Sequence, residues 1–206
     1  MNAVPPAPTQ ASRAAPLALL CHPATPCAAP LHIAVGVTPQ ADGLALRFTL
    51  QGDLTQVRLP AAMPPGPADG LWHHSCFEAF VATAGAEAYQ EFNFAPSGQW
   101  AHHRFQRERV LEAAPAPAAP PRCRWTADQG RLRLDALLPA SSLPPAGASL
   151  LIGLSAVLEA ADGALSYWAL QHPAPRPDFH HRGGWALRLH ATPLAVIDRP
   201  HASTAP

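Results

Sequence analysis

Clusters of proline divide this chain into short segments, and this limits the elements that it can form. The sequence has 26 prolines among 206 residues. Proline has no amide hydrogen to donate and its ring breaks helices, so each cluster marks a connector rather than the interior of a helix or central strand. The internal clusters lie at 60–67, 115–121, 139–145 and 173–177. The segments between them are long enough for strands and turns.

The segments between the connectors alternate apolar and polar residues with the period of two that is typical of strands. Residues 31–38 and 44–50 flank an Ala-Asp-Gly turn, and residues 122–127 and 131–137 flank Asp128-Gln129-Gly130, a hairpin signal. About ten short strands are indicated, with no amphipathic helical pattern. We therefore predict an all-β fold, an antiparallel β-sandwich.

The length fits one domain of this kind. We expect a disordered Pro/Ala-rich N-terminal tail over 1–15, the β-sandwich over 16–192 and a C-terminal tail over 193–206. The four cysteines include no CxxC pair. A Cys21–Cys27 bridge stays open, but four thiols in a chain of this length favour reduced cysteines and a cytoplasmic location.

The charge balance argues against two classes of partner. The chain has 14 Lys and Arg against 14 Asp and Glu, so no basic field collects phosphates. Nucleic acid and anionic membrane surfaces are therefore not expected partners. No segment approaches the roughly 20 apolar residues of a membrane span either.

The most informative face is predicted in the middle of the chain. Pairing the strands so that their apolar sides coincide places Glu78 opposite Asn93, and Phe80 opposite Glu91. A turn at 95–98 then places Asn93 opposite Trp100. We expect one side to carry Phe77, Val81, Phe92, Phe94 and Phe105, and the other Glu78, Glu91, Asn93, Tyr89, Trp100, His102 and Arg104. Acids, an amide and aromatic rings suit a polyhydroxylated ligand, although a solvated outer surface is the alternative.

A second candidate region lies near the C-terminal end. A hairpin across Asp162-Gly163 is expected to place Ser155 opposite Trp168, on one face with Ser166 and His172. A proline-stiffened loop follows, with Asp178 and His180 among its ionisable groups.

Metal and catalytic readings stay open beside ligand binding. His172, Asp178, His180 and His181 match no standard zinc spacing, so we predict no metal ligands there, while a structural calcium remains open. Glu78 and Glu91 would be the paired carboxylates of a hydrolase, but no other residue marks a reaction centre, so we predict no catalytic residues.

Five motifs in order resemble bacterial DOMON-like domains, of the family 9 carbohydrate-binding-module-like superfamily. They are LWHHSCFEAF at 71–80, YQEFNFAPSGQW at 89–100, GLSAV at 153–157, SYWAL at 166–170 and PDFHH at 177–181. The resemblance covers about 17–189 and implies a jelly-roll-like β-sandwich whose relatives bind sugars or haem. Met63, the only internal methionine, lies in a proline-rich connector, so Met/His haem ligation is not expected.

These observations together predict a non-catalytic ligand-binding domain without a cofactor, most consistent with a carbohydrate or similar small polar ligand. The ligand-binding residues expected are Glu78, Glu91, Asn93, Trp100, Ser155, Trp168, His172, Asp178 and His180. A hydrolytic or metal-dependent enzyme using the same carboxylates, and a protein-interaction domain, are the alternatives.

Overall fold

The computed structural model describes residues 15–113 and 119–190, and in these ranges the chain is built from strands, as predicted. The thirteen strands described there are β1 (Leu17–Cys21), β2 (His32–Gln40), β3 (Gly43–Gln51), β4 (Gly66–Pro67), β5 (Cys76–Thr83), β6 (Tyr89–Phe94), β7 (Gln99–Arg107), β8 (Val110–Leu111), β9 (Arg122–Asp128), β10 (Arg131–Pro139), β11 (Leu150–Glu159), β12 (Leu165–Ala169) and β13 (Leu187–Leu189). Single 3-10 turns occupy Leu54–Gln56, Leu71–His73, Ala140–Ser142 and Arg182–Gly184. The two strands that alternation did not indicate, β4 and β8, have two residues each.

The strands form two layers joined by one shared strand. The front layer has the order β4-β7-β6-β5-β11-β12, and the back layer has the order β2-β3-β10-β9. The shared strand is β1, which pairs with β12 of the front layer and with β2 of the back layer. The β4–β7 pair is parallel, and the other paired strands are antiparallel. This arrangement is the predicted β-sandwich, curled into a continuous mixed sheet.

The main core lies between the layers because alternate residues of each strand point inward. Phe48 of the back layer and Phe77 of the front layer meet edge to face, with ring centroids 5.4 Å apart. Phe92, Phe94 and Val81 are buried in the same cluster, as predicted for the apolar side of the front layer.

A second cluster lies on the outward side of the front layer, where the chain after β12 crosses the sheet. It contains Phe80, Tyr89, Phe105 and Trp185. Trp185 stacks on Phe80 with centroids 5.6 Å apart, and its indole Nε1 donates to the Phe179 carbonyl at 2.8 Å. The indole lies directly on the backbone at Gly153, where an added Cβ would be 2.4 Å from Trp185 Cδ1. We call the segment 172–186, which this tryptophan holds on the sheet, the crossing loop.

One predicted register is confirmed and the next is wrong by one residue. Glu78 pairs with Asn93, and Phe80 with Glu91, as expected. In the following hairpin Asn93 pairs with Ala101 instead of Trp100. The reason is the turn: Ala95 N–H donates to the Gln99 carbonyl at 2.9 Å, and this closes a three-residue loop.

The glycine of that loop explains its length. Gly98 has φ of 96°, the left-handed conformation that such three-residue turns require. A slip of one residue exchanges the two faces of β7. Ala101, His103 and Phe105 therefore share the outward face with Glu91, while Trp100, His102 and Arg104 are on the other side of the strand.

The β11–β12 hairpin also differs by one residue from the expectation. Ser155 pairs with Ala169, and Ala156 pairs with Trp168. Ser155 and Trp168 consequently occupy opposite faces of the front layer. Ser166 shares the inward face with Trp168, whose Nε1 donates to its hydroxyl at 3.0 Å.

The predicted tails, 1–15 and 193–206, lie outside the described residues apart from Ala15. All helical segments in residues 15–113 and 119–190 are single turns, so this part of the chain includes no helix with the length and hydropathy of a membrane span.

Candidate functional site

A cavity of about 550 Å³ opens on the outward face of the front layer. Its floor comes from β5, β6, β7, β11 and β12, and its walls come from the 3-10 turn before β5, the β7–β8 connection and the crossing loop. The side chains lining it are Trp72, His73, Glu78, Phe80, Glu91, His103, Phe105, Arg109, Leu111, Val157, Leu165, Tyr167, Pro177, Asp178, Phe179 and His180. A volume of this size is in the range of small-molecule sites.

Glu78 is an acid in the floor with almost no exposure to solvent. Its residue surface is 3% exposed, and Ser155 Oγ donates to Glu78 Oε2 at 3.3 Å. Burial raises the pKa of the Glu78 carboxyl well above its usual range, and the neighbouring Glu91 charge raises it further, while the Ser155 hydrogen bond opposes the rise. The empty cavity therefore favours the protonated form of Glu78.

Glu91 is the second acid of the floor, one strand away from Glu78. It is 6% exposed, and Asn93 Nδ2 donates to Glu91 Oε1 at 2.7 Å. Burial raises the pKa of the Glu91 carboxyl, although the Asn93 hydrogen bond and the charges of His103 and Arg109 lower it. Asn93 is itself fully buried behind this carboxyl, so its role in the structure is to support Glu91.

A hydrogen-bonded chain joins the floor to the crossing loop. The Tyr89 oxygen accepts from Arg109 N–H at 3.1 Å, and the Tyr89 hydroxyl contacts His180 Nδ1 at 2.7 Å. His180 Nε2 is 3.7 Å from Glu91 Oε2. Desolvation, followed by the charge of Arg109, lowers the pKa of His180 to about 4, so this imidazole is neutral near pH 7.

Arg109 fixes the outer end of that chain. Its guanidinium pairs with the Asp178 carboxylate at 2.7 Å, which ties the β7–β8 connection to the crossing loop. Arg109 also has φ of 58°, the single non-glycine residue in the left-handed region among those that the structure describes. Residues held in this unfavourable backbone conformation are frequent at binding sites, where the surrounding structure fixes the position of the side chain.

Aromatic rings form much of the remaining surface. Tyr167 and Phe179 lie with centroids 5.9 Å apart, and Trp72 lies edge-on to His103 at 6.0 Å. Trp72 is 39% exposed, unusually high for an indole beside a cavity. Such rings offer flat apolar faces to a ligand whose polar groups reach the acids.

The structure brings four of the nine predicted binding residues into the cavity lining: Glu78, Glu91, Asp178 and His180. Two more, Asn93 and Ser155, are buried directly behind it and hydrogen-bond the two acids. The remaining three, Trp100, Trp168 and His172, are elsewhere.

The placement expected for those three residues was wrong for identifiable reasons. Trp100 and Trp168 pack against the main core because each hairpin is shifted by one residue relative to the prediction. His172 lies at the edge of the front layer, where its Nε2 contacts the Leu20 carbonyl at 2.8 Å and its ring meets His22 edge-on at 4.6 Å.

The lining residues that the sequence reasoning missed include Trp72, His103, Arg109, Tyr167 and Phe179. The pairing of Val157 with Tyr167 shows that the correct hairpin register alone would have found this tyrosine. Predicting His103 would have required knowing that the turn before β7 has three residues, because this turn sets the register that pairs His103 with Glu91. Trp72, Arg109 and Phe179 come from connections, whose course over a sheet has no sequence period.

In the described ranges, no three His, Cys, Asp or Glu side chains lie close enough together to hold a metal ion. His172 is separated from Asp178 and His180, and His181 caps the following 3-10 turn by accepting from Gly183 N–H at 3.1 Å.

Comparison with known proteins identifies a shared fold. No family model matches the chain, and no curated protein matches it significantly. A structure from Bacteroides uniformis ATCC 8492, provisionally assigned as a carbohydrate-binding protein, superposes with a TM-score of 0.60 at 15% identity, covering 82% of each chain.

Two further structures show a family 9 carbohydrate-binding module of Caldicellulosiruptor kristjanssonii. The complex with cellotriose has a TM-score of 0.48 and 7% identity, covering 75% of this chain and 72% of that one. The complex with glucose has a TM-score of 0.45 and 8% identity, covering 74% and 73%. At these identities the similarity concerns the backbone, and the β-sandwich of this chain is of the kind found in the Bacteroides uniformis protein.

Proposed function

We propose that this chain is a non-catalytic binding domain that holds a carbohydrate, or a similar small polar ligand, in the cavity of the front layer. The observation that carries the proposal is the composition of this cavity, in which two buried acids lie among aromatic rings. Carboxyl groups exchange hydrogen bonds with hydroxyls, and aromatic faces pack against the C–H surfaces of a sugar ring.

The construction of the walls supports binding to a preformed site. The crossing loop is held by the stack of Trp185 on Phe80 and by the ion pair of Arg109 with Asp178. A site whose parts are fixed before binding loses less conformational entropy when the ligand arrives. The protein of similar fold from Bacteroides uniformis is provisionally assigned to carbohydrate binding, which agrees with this proposal.

The proposal is tested by titrating mono- and disaccharides into the full chain and measuring heat and thermal shift. We expect at least one sugar to bind, and Trp72→Ala to weaken that binding at least tenfold because it removes the exposed ring at the cavity. Leu20→Ala is the matched control, since Leu20 is a 57% exposed apolar residue that does not line the cavity. Equal loss in both variants, or no response to any sugar, would contradict the proposal.

A second candidate is a hydrolase, favoured by the fact that Glu78 and Glu91 both line the cavity and that burial raises the pKa of each. A carboxyl that is protonated near neutral pH is what a general acid requires. Incubation with oligosaccharides and analysis of the products separates the two candidates. Product formation that Glu78→Gln abolishes would establish hydrolysis in place of simple binding.

A further inference from the structure

The acidic and basic groups around the cavity do not balance. Three carboxyl groups line it, those of Glu78, Glu91 and Asp178, against the single guanidinium of Arg109. That guanidinium is paired with Asp178 at 2.7 Å. Among the described residues the two floor acids therefore have histidines, His103 and His180, but no arginine of their own as basic neighbours.

Several polar atoms of the floor also lack a hydrogen-bond partner among the described residues. Ser155 is the one described group that hydrogen-bonds Glu78, through Oε2, so that Glu78 Oε1 accepts none. Glu91 Oε2 has His180 Nε2 at 3.7 Å, beyond a normal hydrogen bond. His103 Nε2 is buried and unpartnered as well. Buried polar atoms are normally satisfied, and His103 Nε2 is such a buried atom, so the floor has hydrogen-bonding capacity left for a bound group.

The rings around the acids match a particular kind of group. Trp72, Phe80, Phe105, Tyr167 and Phe179 all contribute to the lining. Aromatic faces carry negative charge density and attract organic cations, most strongly where water is excluded. A metal ion would instead require a full shell of oxygen or nitrogen ligands.

We propose that the ligand of this cavity carries a protonated amino group, as an amino sugar does, and that this group binds between Glu78 and Glu91. The inference rests on the proposed function and specifies its ligand class. The ammonium donates hydrogen bonds to the free carboxylate oxygens, and the sugar ring or other organic part packs on the aromatic walls.

Proton release is a necessary consequence of this arrangement. Desolvation raises the pKa of both floor carboxyls and so favours their protonated forms, and an arriving ammonium displaces the protons that they hold. Each displaced proton makes the affinity rise by about tenfold per pH unit, over the range in which the carboxyl is protonated in the free protein and the amine stays charged. A neutral ligand has no such dependence.

The other titratable groups near the pair come from every element packed against it. They are Cys76 on β5, Tyr89 on β6, His103 on β7, Tyr167 on β12, His73 before β5, Arg109 between β7 and β8, and Asp178 and His180 on the crossing loop. The pKa of His180 is lowered to about 4 and those of Cys76 and Tyr89 are raised, so these three groups do not change charge between pH 5 and 7. Arg109 stays charged throughout.

The test is calorimetric titration of the full chain with glucosamine, N-acetylglucosamine and glucose at pH 5, 6 and 7, each in two buffers of different ionisation enthalpy. We expect glucosamine to bind at least tenfold more tightly than the neutral sugars at pH 7, with proton release and an affinity that rises with pH. Glu78→Gln and Glu91→Gln should each reduce proton release and should reduce the preference for glucosamine over the neutral sugars. Glu112→Gln, a partly exposed acid paired with Arg104 at 3.0 Å, is the matched control and should behave as wild type.

The possible failures of the two proposals are distinguishable. Neutral sugars that bind as tightly as glucosamine, without proton release, overturn this inference and leave the proposed function standing. Binding of methylammonium with proton release, without binding of any sugar, supports the charge inference and overturns the sugar. The inference is overturned if calcium chloride causes proton release and amines do not. It is also overturned if proton release persists in both Glu→Gln variants. Circular dichroism confirms that each variant is folded.

Discussion

The contact between Gly153 and Trp185 leads to a specific prediction about stability. Gly153 lies within β11, opposite Phe80, and the Trp185 indole occupies the space where a side chain at 153 would lie. Replacing Gly153 by alanine forces the two groups apart. Trp185 also donates a hydrogen bond to the carbonyl of Phe179, a residue of the cavity wall, so moving the indole also disturbs this wall.

The size of the effect follows from the distances. The new Cβ would lie 2.4 Å from Trp185 Cδ1 and 2.8 Å from Cγ, whereas carbon atoms prefer about 3.5–4.0 Å. The indole must therefore move by roughly 1 Å, away from its stack on Phe80. Overpacking of this kind costs about 1–3 kcal/mol, and loss of the indole hydrogen bond adds about 1 kcal/mol. Alanine recovers about 0.4–1 kcal/mol by restricting the unfolded chain, so we expect a net loss of about 1–3 kcal/mol.

The assay is urea unfolding followed by circular dichroism, with Gly36→Ala as the matched control. Gly36 also lies within a strand, and its added Cβ would meet Arg47 Cβ at 3.9 Å, an ordinary contact. This control should be unchanged or slightly more stable than wild type. Equal stabilities of Gly153→Ala and Gly36→Ala would refute the packing argument.

Three further predictions concern the acids and the core. The first concerns Glu78→Gln. Folding raises the pKa of the wild-type carboxyl, so its contribution to stability is complete below about pH 4.3 and is lost as the pH rises through the folded-state pKa. The urea midpoint of the variant should therefore fall less steeply with pH than that of wild type, and parallel curves would count against the buried acid. Phe48→Ala should lower the free energy of unfolding by about 3–5 kcal/mol, because Phe48 is fully buried against Phe77; a loss below 1 kcal/mol would contradict this packing. Asp178→Asn should change the free energy of unfolding by less than about 1 kcal/mol, since the ion pair with Arg109 is largely exposed. It should, however, speed amide hydrogen exchange in the crossing loop. Unchanged exchange would show that the ion pair does not hold the loop.

Much of the fold could be predicted from the sequence because strand alternation and turn residues are local signals. The hairpin around Gln129 is an example, since Gly130 has φ of 69° as its turn requires, and β9 and β10 pair across it from Arg131 and Asp128 onward. The β5–β6 pairing was also predictable, because its apolar faces coincide in one register alone. Here the local and the long-range requirements agree.

The errors occur where a single residue in a turn decides the register. Counting Ala95 as paired with Gln99, rather than as the first residue of the loop, moves His103 into the site and Trp100 into the core. Hydrophobicity could not settle the choice, because both faces of β7 carry an aromatic side chain. The cavity walls were beyond prediction for another reason: contacts such as Tyr89 with His180 join positions 91 residues apart.

The shared strand β1 has a consequence for how the chain is made. Leu20 leaves the ribosome long before its partner Ala169, which follows some 150 positions later. Until then the side of β1 that pairs with β12 has an open edge, a surface on which other extended chains can grow. Removing β1 would leave the edges of both β2 and β12 permanently unpaired. Shortened versions of this protein that begin after Cys21 should therefore aggregate on expression.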